Sequence, residues 1–238
     1  MARKRNPTPT RATIIKAASE LFFEKGFSKT TSAEVSKKAD ISTGNLTFYF
    51  PTKEHILAVL TEMMCDFQWK EMQTLTEEGN SSLLAYCLEL TMMVAISEEI
   101  PEMHDFITAA YKHPMTLNLI RKNDTEKIKR VFSEYTEGWS DEHFIETEAL
   151  ISGIEYATFM RTEHSASVEY RIKGALGTVM SLFGVPEQVR KTKIDKVLSM
   201  DYRAIGIRVY EKFKSYVTMT NEQALEEVLK YTKIRSYK

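Results

Sequence analysis

TTSAEVSKKADISTGNLTFYFPTK, residues 30–53, decides the architecture of this 238-residue chain. It reads as two short helices around a tight corner. Thr31 stands where it can cap the first helix, and Glu34 three residues later completes an S/T-x-x-E capping box. Val35 and Ala39 repeat at helical spacing, Asp40-Ile41 makes the corner, and Ser42 can cap a second helix with Leu46 and Phe50 facing inward. Pro51 lacks an amide proton and disfavours helix at the residue before it, so the second helix stops near Phe50. Two helices this short cannot form a core alone. Their outer face holds Thr43, Gly44, Asn45, Thr47, Phe48 and Tyr49, small, hydrogen-bonding and aromatic residues suited to a helix laid in a major groove.

The preceding segment, residues 10–25, carries Ile14, Ala18, Leu21 and Phe22 as a helical stripe. Gly26 follows where a helix ends in the left-handed conformation, and Phe27 can fold back on Phe22. Three helices therefore open the chain, the last two in helix-turn-helix relation.

Here the sequence resembles the TetR/AcrR family of bacterial transcriptional regulators. The likeness lies in the first helix through Gly26-Phe27, in Thr30-Thr31, in the run from Ser42 to Phe50, and in Lys53-Glu54 opening a fourth helix. It covers roughly residues 10–60. The resemblance implies a homodimer that binds double-stranded operator DNA and responds to a ligand, more often as a repressor than as an activator. Thr43, Gly44 and Thr47 are then expected at base edges, with Ser42 and Asn45 on the same surface. Tyr49, Lys53 and Thr31 are expected to hold phosphates, and Phe48 divides between groove contact and packing. Many relatives carry an aromatic where Thr47 stands, so base contact here should be shallower.

Charge is unevenly distributed. Up to Ile56 there are ten Lys/Arg against five acids, net +5, and the remainder holds 22 against 28, net −6. A basic end on an acidic body suits phosphate contact at one end. A solvated surface is the plainer account of that charge by itself. The basic arm of residues 1–9, with Arg3-Lys4-Arg5, can reach a phosphate backbone or simply solubilise.

The hydrophobic fraction of 43% and charged fraction of 27% fit a globular protein with a substantial core. No apolar run approaches the roughly 20 residues of a membrane span, and the N-terminus lacks the apolar stretch of a secretory signal, so a cytoplasmic protein is expected. Cys65 and Cys87 read as small buried hydrophobes.

Beyond Lys53 the pattern is helical to the end, which makes the fold all-α, with a helix-turn-helix unit in residues 1–52 and an effector-binding and dimerisation unit in residues 53–238. Helices are expected from Lys53 to about Glu78, ended by Gly79-Asn80, then from Ser81 or Ser82 to Glu98, from Pro101 to Lys112 and from Met115 to Thr136 with a bend near Asn123-Asp124. Asp141–His164 and Val168–Phe183 follow as a pair, and three more run over 186–200, 202–218 and 221–234. That pair is the candidate dimer interface: Gly153, Ala157, Gly174, Gly177 and Met180 mix small and bulky residues, and interior glycine costs about 1 kcal/mol in a helix unless close approach repays it. Packing within one subunit is the competing account.

Met63, Met64, Phe67, Met92, Met93, Phe106 and Tyr111 make the middle of the chain rich in Met and aromatic side chains, which line adaptable apolar pockets and ordinary cores alike. No polar anchor stands out there, so a small hydrophobic ligand is expected. Glu98, Glu99, Glu102 and Asp105 either attract a cation or solvate a helix end. No histidine pair has the spacing of a metal-binding helix, and no phosphate loop or G-x-S-x-G elbow occurs; neither metal, cofactor nor catalysis is expected. The alternatives are a DNA-binding protein with no ligand gate and a helical interaction protein with a basic head.

Overall fold

The computed structural model describes residues 11–76 and 82–232, with side chains through Leu229. The basic arm and the Gly79-Asn80 stop lie outside the described residues. Within them are twelve α-helices and one 3-10 turn, and no strand. They are α1 (Arg11–Lys25), α2 (Ser32–Lys38), α3 (Thr43–Tyr49), α4 (Lys53–Thr76), α5 (Leu83–Glu99), α6 (Pro101–Lys112), α7 (Pro114–Val131), α8 (Asp141–Phe159), α9 (Val168–Leu182), α10 (Glu187–Ser199), α11 (Tyr202–Met219) and α12 (Glu222–Thr232).

The helix α5 is apolar around nearly its whole circumference, and a helix of that kind belongs in the interior. It packs against α4, α6, α8, α9, α10 and α11. Gly206 of α11 lets that helix come close: a Cβ there would meet Ile96 Cγ1 at 2.9 Å and Met92 Cγ at 3.0 Å. The long α4, about 36 Å at 1.5 Å per residue, touches both the N-terminal helices and the rest of the bundle.

Two boundaries depart from the sequence expectation. Asn123-Asp124 lies inside an unbroken α7, which ends at Val131 before a 3-10 turn at Ser133–Tyr135. Helix α8 stops at Phe159 instead of His164, because Met160 turns extended at φ −72°, ψ 122°.

The C-terminal helices pack against the first one. Phe23 of α1 enters a ring cluster with Phe106 of α6 and Tyr210 and Phe213 of α11, at centroid distances of 5.9, 5.7 and 5.9 Å. The Ala12 amide donates to Glu222 Oε2 of α12 at 2.9 Å. After α1, Gly26 adopts φ +95° and Phe27 meets the Phe22 ring edge-on at 5.1 Å. Asp105 of α6 accepts from the Ser28 amide at 2.7 Å, lying so close that a Cβ on Gly26 would meet its Oδ2 at 2.8 Å.

Candidate nucleic-acid interface and buried cavity

The two short helices are fixed by their ends. Thr31 Oγ1 accepts from the Glu34 amide at 3.3 Å while Glu34 Oε2 accepts from the Thr31 amide at 2.9 Å, the reciprocal pair of a capping box. Lys25 hydrogen-bonds Glu34 at 2.5 Å and, with the Thr31 bonds, lowers its carboxyl to about 2. At the corner Asp40 takes φ 54°, a left-handed conformation that Asp tolerates better than most residues. Ser42 Oγ then accepts from the Asn45 amide at 3.1 Å and starts α3. Leu46 and Phe50 are buried, which points Thr43, Gly44, Asn45, Thr47 and Phe48 to solvent; Phe48 is 80% exposed.

Two details refine the expected contacts. The Thr47 hydroxyl donates to the Thr43 carbonyl at 2.8 Å, so it is turned back on the helix and the methyl is the group left for a partner. Lys53 was expected at a phosphate, but its Nζ donates to the Phe27 and Thr30 carbonyls, each at 3.1 Å, and sits 4.2 Å from the centre of the Phe27 ring. Its ammonium ties the start of α4 to the loop between α1 and α2. Arg11 brings its guanidinium 5.6 Å from the Tyr49 ring and adds a cation beside α3.

A second feature lies in the bundle: a cavity of about 40 Å³ between α4, α5, α6, α7 and α8. Of the seven residues expected around an effector, Met64, Met93, Phe106 and Tyr111 line it. Met63 and Met92 are buried elsewhere in the core, and Phe67 instead stacks on Tyr216 at 5.2 Å. The expectation of no polar anchor is overturned. Gln68, Glu89, Asp124, Lys127 and Glu155 reach the wall, because polar positions of four helices, α4, α5, α7 and α8, converge there. Lys127 Nζ lies 2.8 Å from both Glu89 and Asp124, and Tyr111 donates to Glu155 at 2.7 Å. Burial opposes the Lys127 charge, yet Asp124 and Glu89 more than offset this and hold its pKa well above the usual value. Burial, then the charge of Asp124, raises both Glu155 and its neighbour Glu148 far above the usual carboxylate range. By contrast, three of the acids near Pro101 are engaged: Glu98 with Arg161 and Arg171, Glu99 with Arg203, and Asp105 with Ser28.

Residues 14–60 match the family described as bacterial regulatory proteins, tetR family. The chain is 33% identical over 99 residues to YuxN, an uncharacterized HTH-type transcriptional regulator of Bacillus subtilis, covering 42% of this chain and 33% of that protein. It is 28% identical over 143 residues to the HTH-type transcriptional regulator QacR of Staphylococcus aureus, covering 59% and 70%. Among solved structures it shares the fold of Thermus thermophilus FadR, a TetR-family transcriptional repressor in complex with lauroyl-CoA. The TM-score is 0.53 at 17% identity, over 71% of this chain and 92% of that one. Residues 14–60 belong to the tetR family of bacterial regulatory proteins.

The match to YuxN spans a third of that protein's length. In this chain the glycines expected at a dimer interface divide. Gly153, Ala157 and Gly174 are exposed, and no atom of the subunit lies within 4 Å of a Cβ built on either glycine, so packing within the subunit does not account for them. A Cβ on Gly177 would touch Ile194 at an ordinary 4.0 Å. Met180 is withdrawn from the interface: it is fully buried, 3.9 Å from the Cys87 sulfur. The exposed stripe of α8 also carries Ile145 at 59% and Leu150 at 53% exposure, and Met160, just past the end of the helix, is 38% exposed.

Proposed function

We propose that this TetR-family regulator is a cytoplasmic, homodimeric repressor released from its operator by a small ligand entering the cavity. Residues 1–52 form the DNA-binding unit and residues 53–238 the body. Thr43, Gly44, Asn45 and the Thr47 methyl meet base edges, while Thr31, Ser42, Tyr49 and Arg11 meet the phosphates. Phe48 supplies an apolar groove contact. Two copies meet through the exposed α8–α9 stripe, which sets the recognition helices about 34 Å apart, one turn of duplex.

One observation carries the coupling. Helix α4 is a single rigid element whose first residue, Lys53, is tied to the α1–α2 loop and whose Thr61, Met64, Cys65 and Gln68 wall the cavity. A volume of about 40 Å³ has room for a few waters at roughly 10–15 Å³ each. A larger ligand must part α4 from its neighbours, and that displacement reaches the head through Lys53. The ligand then favours the displaced arrangement by its difference in affinity for the two. FadR, with lauroyl-CoA, is a relative in fold whose solved structure holds a ligand.

The test is selection of bound duplexes from a random pool, followed by a screen for compounds that raise thermal stability and release the selected DNA at the same concentrations. Gly153→Leu and Leu150→Asp should give monomers in sedimentation and weaken operator binding by roughly 1,000-fold or more, the lower end of the gap between specific and nonspecific binding. An intact dimer in both variants moves the interface elsewhere. Compounds that neither stabilise nor release leave a constitutive DNA binder, with the cavity only a gap in its core.

A further inference from the structure

We propose that the cavity takes a protonated primary or secondary amine on an apolar or aromatic body, held by the Glu155 carboxylate and the hydroxyls of Tyr86 and Thr61. This rests on the cavity being the effector site and names the class of ligand it admits.

The first observation is a count of buried charge. Five carboxyl groups lie at the wall or just behind it: Glu62 on α4, Glu89 on α5, Asp124 on α7, and Glu148 and Glu155 on α8. The buried cation among them is Lys127, already shared by Glu89 and Asp124. Arg121 faces the same group from α7 but donates its Nε to Ser152 at 3.0 Å. Asn123 serves Glu62 at 3.0 Å. Neither oxygen of the fully buried Glu148 has a hydrogen-bond partner. Cys65, Tyr86 and Tyr111 complete the titratable groups of the wall and carry no positive charge. Burying acids in this excess is costly unless they are protonated or matched by a cation.

The second observation is independent of charge. Tyr86 OH and Thr61 Oγ1 belong to side chains only 4% exposed, both line the cavity, and neither has a partner within the protein. Buried hydroxyls normally do. An ammonium bearing N–H bonds answers both observations, since its charge meets Glu155 and its hydrogens meet the two oxygens. An anion would face the carboxylates, and a neutral alcohol would leave the charge unmatched. A quaternary ammonium has no N–H to give. Among the described residues no group of three or more His, Cys, Asp or Glu is placed to hold a metal ion. Phe106, Leu90 and Met93 supply an apolar wall for the body of the ligand.

The full-length protein is titrated with phenethylamine, tryptamine and hexylamine, and with 2-phenylethanol, 1-hexanol and phenethyltrimethylammonium as matched controls. The amines should raise the melting temperature and bind about tenfold or more tighter than the controls, the order expected of a charge-assisted hydrogen bond. Calorimetry in two buffers of different ionisation heat should show proton release, as the arriving cation ionises the buried carboxyls. Glu155→Gln should lose about tenfold in amine affinity and the proton release with it, and Tyr86→Phe should lose a smaller factor, with the melting temperatures of the free variants reporting that they fold. Alcohols binding as tightly as amines, and releasing DNA, would overturn the amine proposal and leave the effector site standing. The trimethyl compound binding as tightly as phenethylamine would overturn the N–H requirement. If no compound in either set stabilises the protein or releases DNA, the amine proposal falls and the site reading falls with it.

Discussion

In the helix-turn-helix head, polar side chains sit at helix ends and find partners three or four residues away, as Thr31 with Glu34, Ser42 with Asn45 and Thr47 with Thr43. Around the cavity they lie within longer helices, and their partners are 38, 44 and 61 residues away, as Lys127 with Glu89, Tyr111 with Glu155 and Asn123 with Glu62. The head presents a satisfied surface to an external partner. The cavity wall instead keeps unsatisfied oxygens inside the protein. Local polar contacts therefore shape the head, while in the body the tertiary fold assembles polar groups at a site and bears their cost.

The contrast breaks first at the joint, where the head is not self-sufficient. Phe23 links it to the body through the rings of Phe106, Tyr210 and Phe213. Phe23→Ala should cost about 3 kcal/mol, the lower end for removing a packed Phe. The loss should appear as earlier hydrogen exchange in α1 to α3 and as a broadened or split calorimetric transition. A single sharp transition at the original temperature would mean that α4, with the Ala12–Glu222 and Ser28–Asp105 hydrogen bonds, couples the two regions without this cluster.

This pattern also explains what the sequence made legible. Thr31 with Glu34, Gly26 with Phe27, Asp40 and Ser42 are signals within four residues of their partners, so the caps and stops of the head's helices are legible in the sequence. The twelve helices followed from periodicity and from stops such as Pro101 and Pro114. Lys53 misled because its type suggests phosphate, whereas its carbonyl partners lie 26 and 23 residues back. The sequence does not single out Glu148 and Glu155, because nothing local marks them as buried. Met63 and Met92 failed as pocket residues because composition places side chains in a region without saying which way they face. Only the packing of five helices shows which polar positions converge.

A smaller effect sharpens the body's side of the comparison. Glu148 and Glu155 have folded pKa values raised above the ordinary 4.5, by burial first and then by Asp124. A raised acid binds more protons folded than unfolded, so its contribution is full below about 4.5 and declines as pH rises towards the folded value. Glu148→Gln removes that liability while keeping the shape. It should raise stability by about 1–2 kcal/mol at pH 8, the cost of an unsatisfied buried group, and by less at pH 5. Thermal melts at the two pH values decide this. A loss at pH 8 would mean that Glu148 is ionised and paired in the folded protein, and an equal gain at both would mean that its protonation does not differ between folded and unfolded states over this range.

The smallest effect belongs to the head and runs with the opposite pH sense. Thr31→Ala removes the hydroxyl half of the capping box and should cost about 1 kcal/mol, the usual loss for a helix cap. Glu34 keeps Lys25 and the residue 31 amide but loses the Thr31 hydroxyl, one of the three hydrogen-bond partners that hold its carboxyl at about 2. A lowered carboxyl contributes stability above its unfolded value of 4.5 and loses it as pH falls towards the folded value. In Thr31→Ala the folded value should rise towards 4.5, so the deficit against the parent is full at neutral pH and shrinks as both proteins are acidified. Because Glu34 and Lys25 are partly exposed, added salt should reduce the Lys25 share without touching the hydroxyl share. Acid titration of the Glu34 side-chain resonance in both proteins reads this directly. If its pKa were unchanged by the substitution, Lys25 alone would hold the carboxylate, and α2 would be tied to α1 by an ion pair instead of being capped by its own sequence.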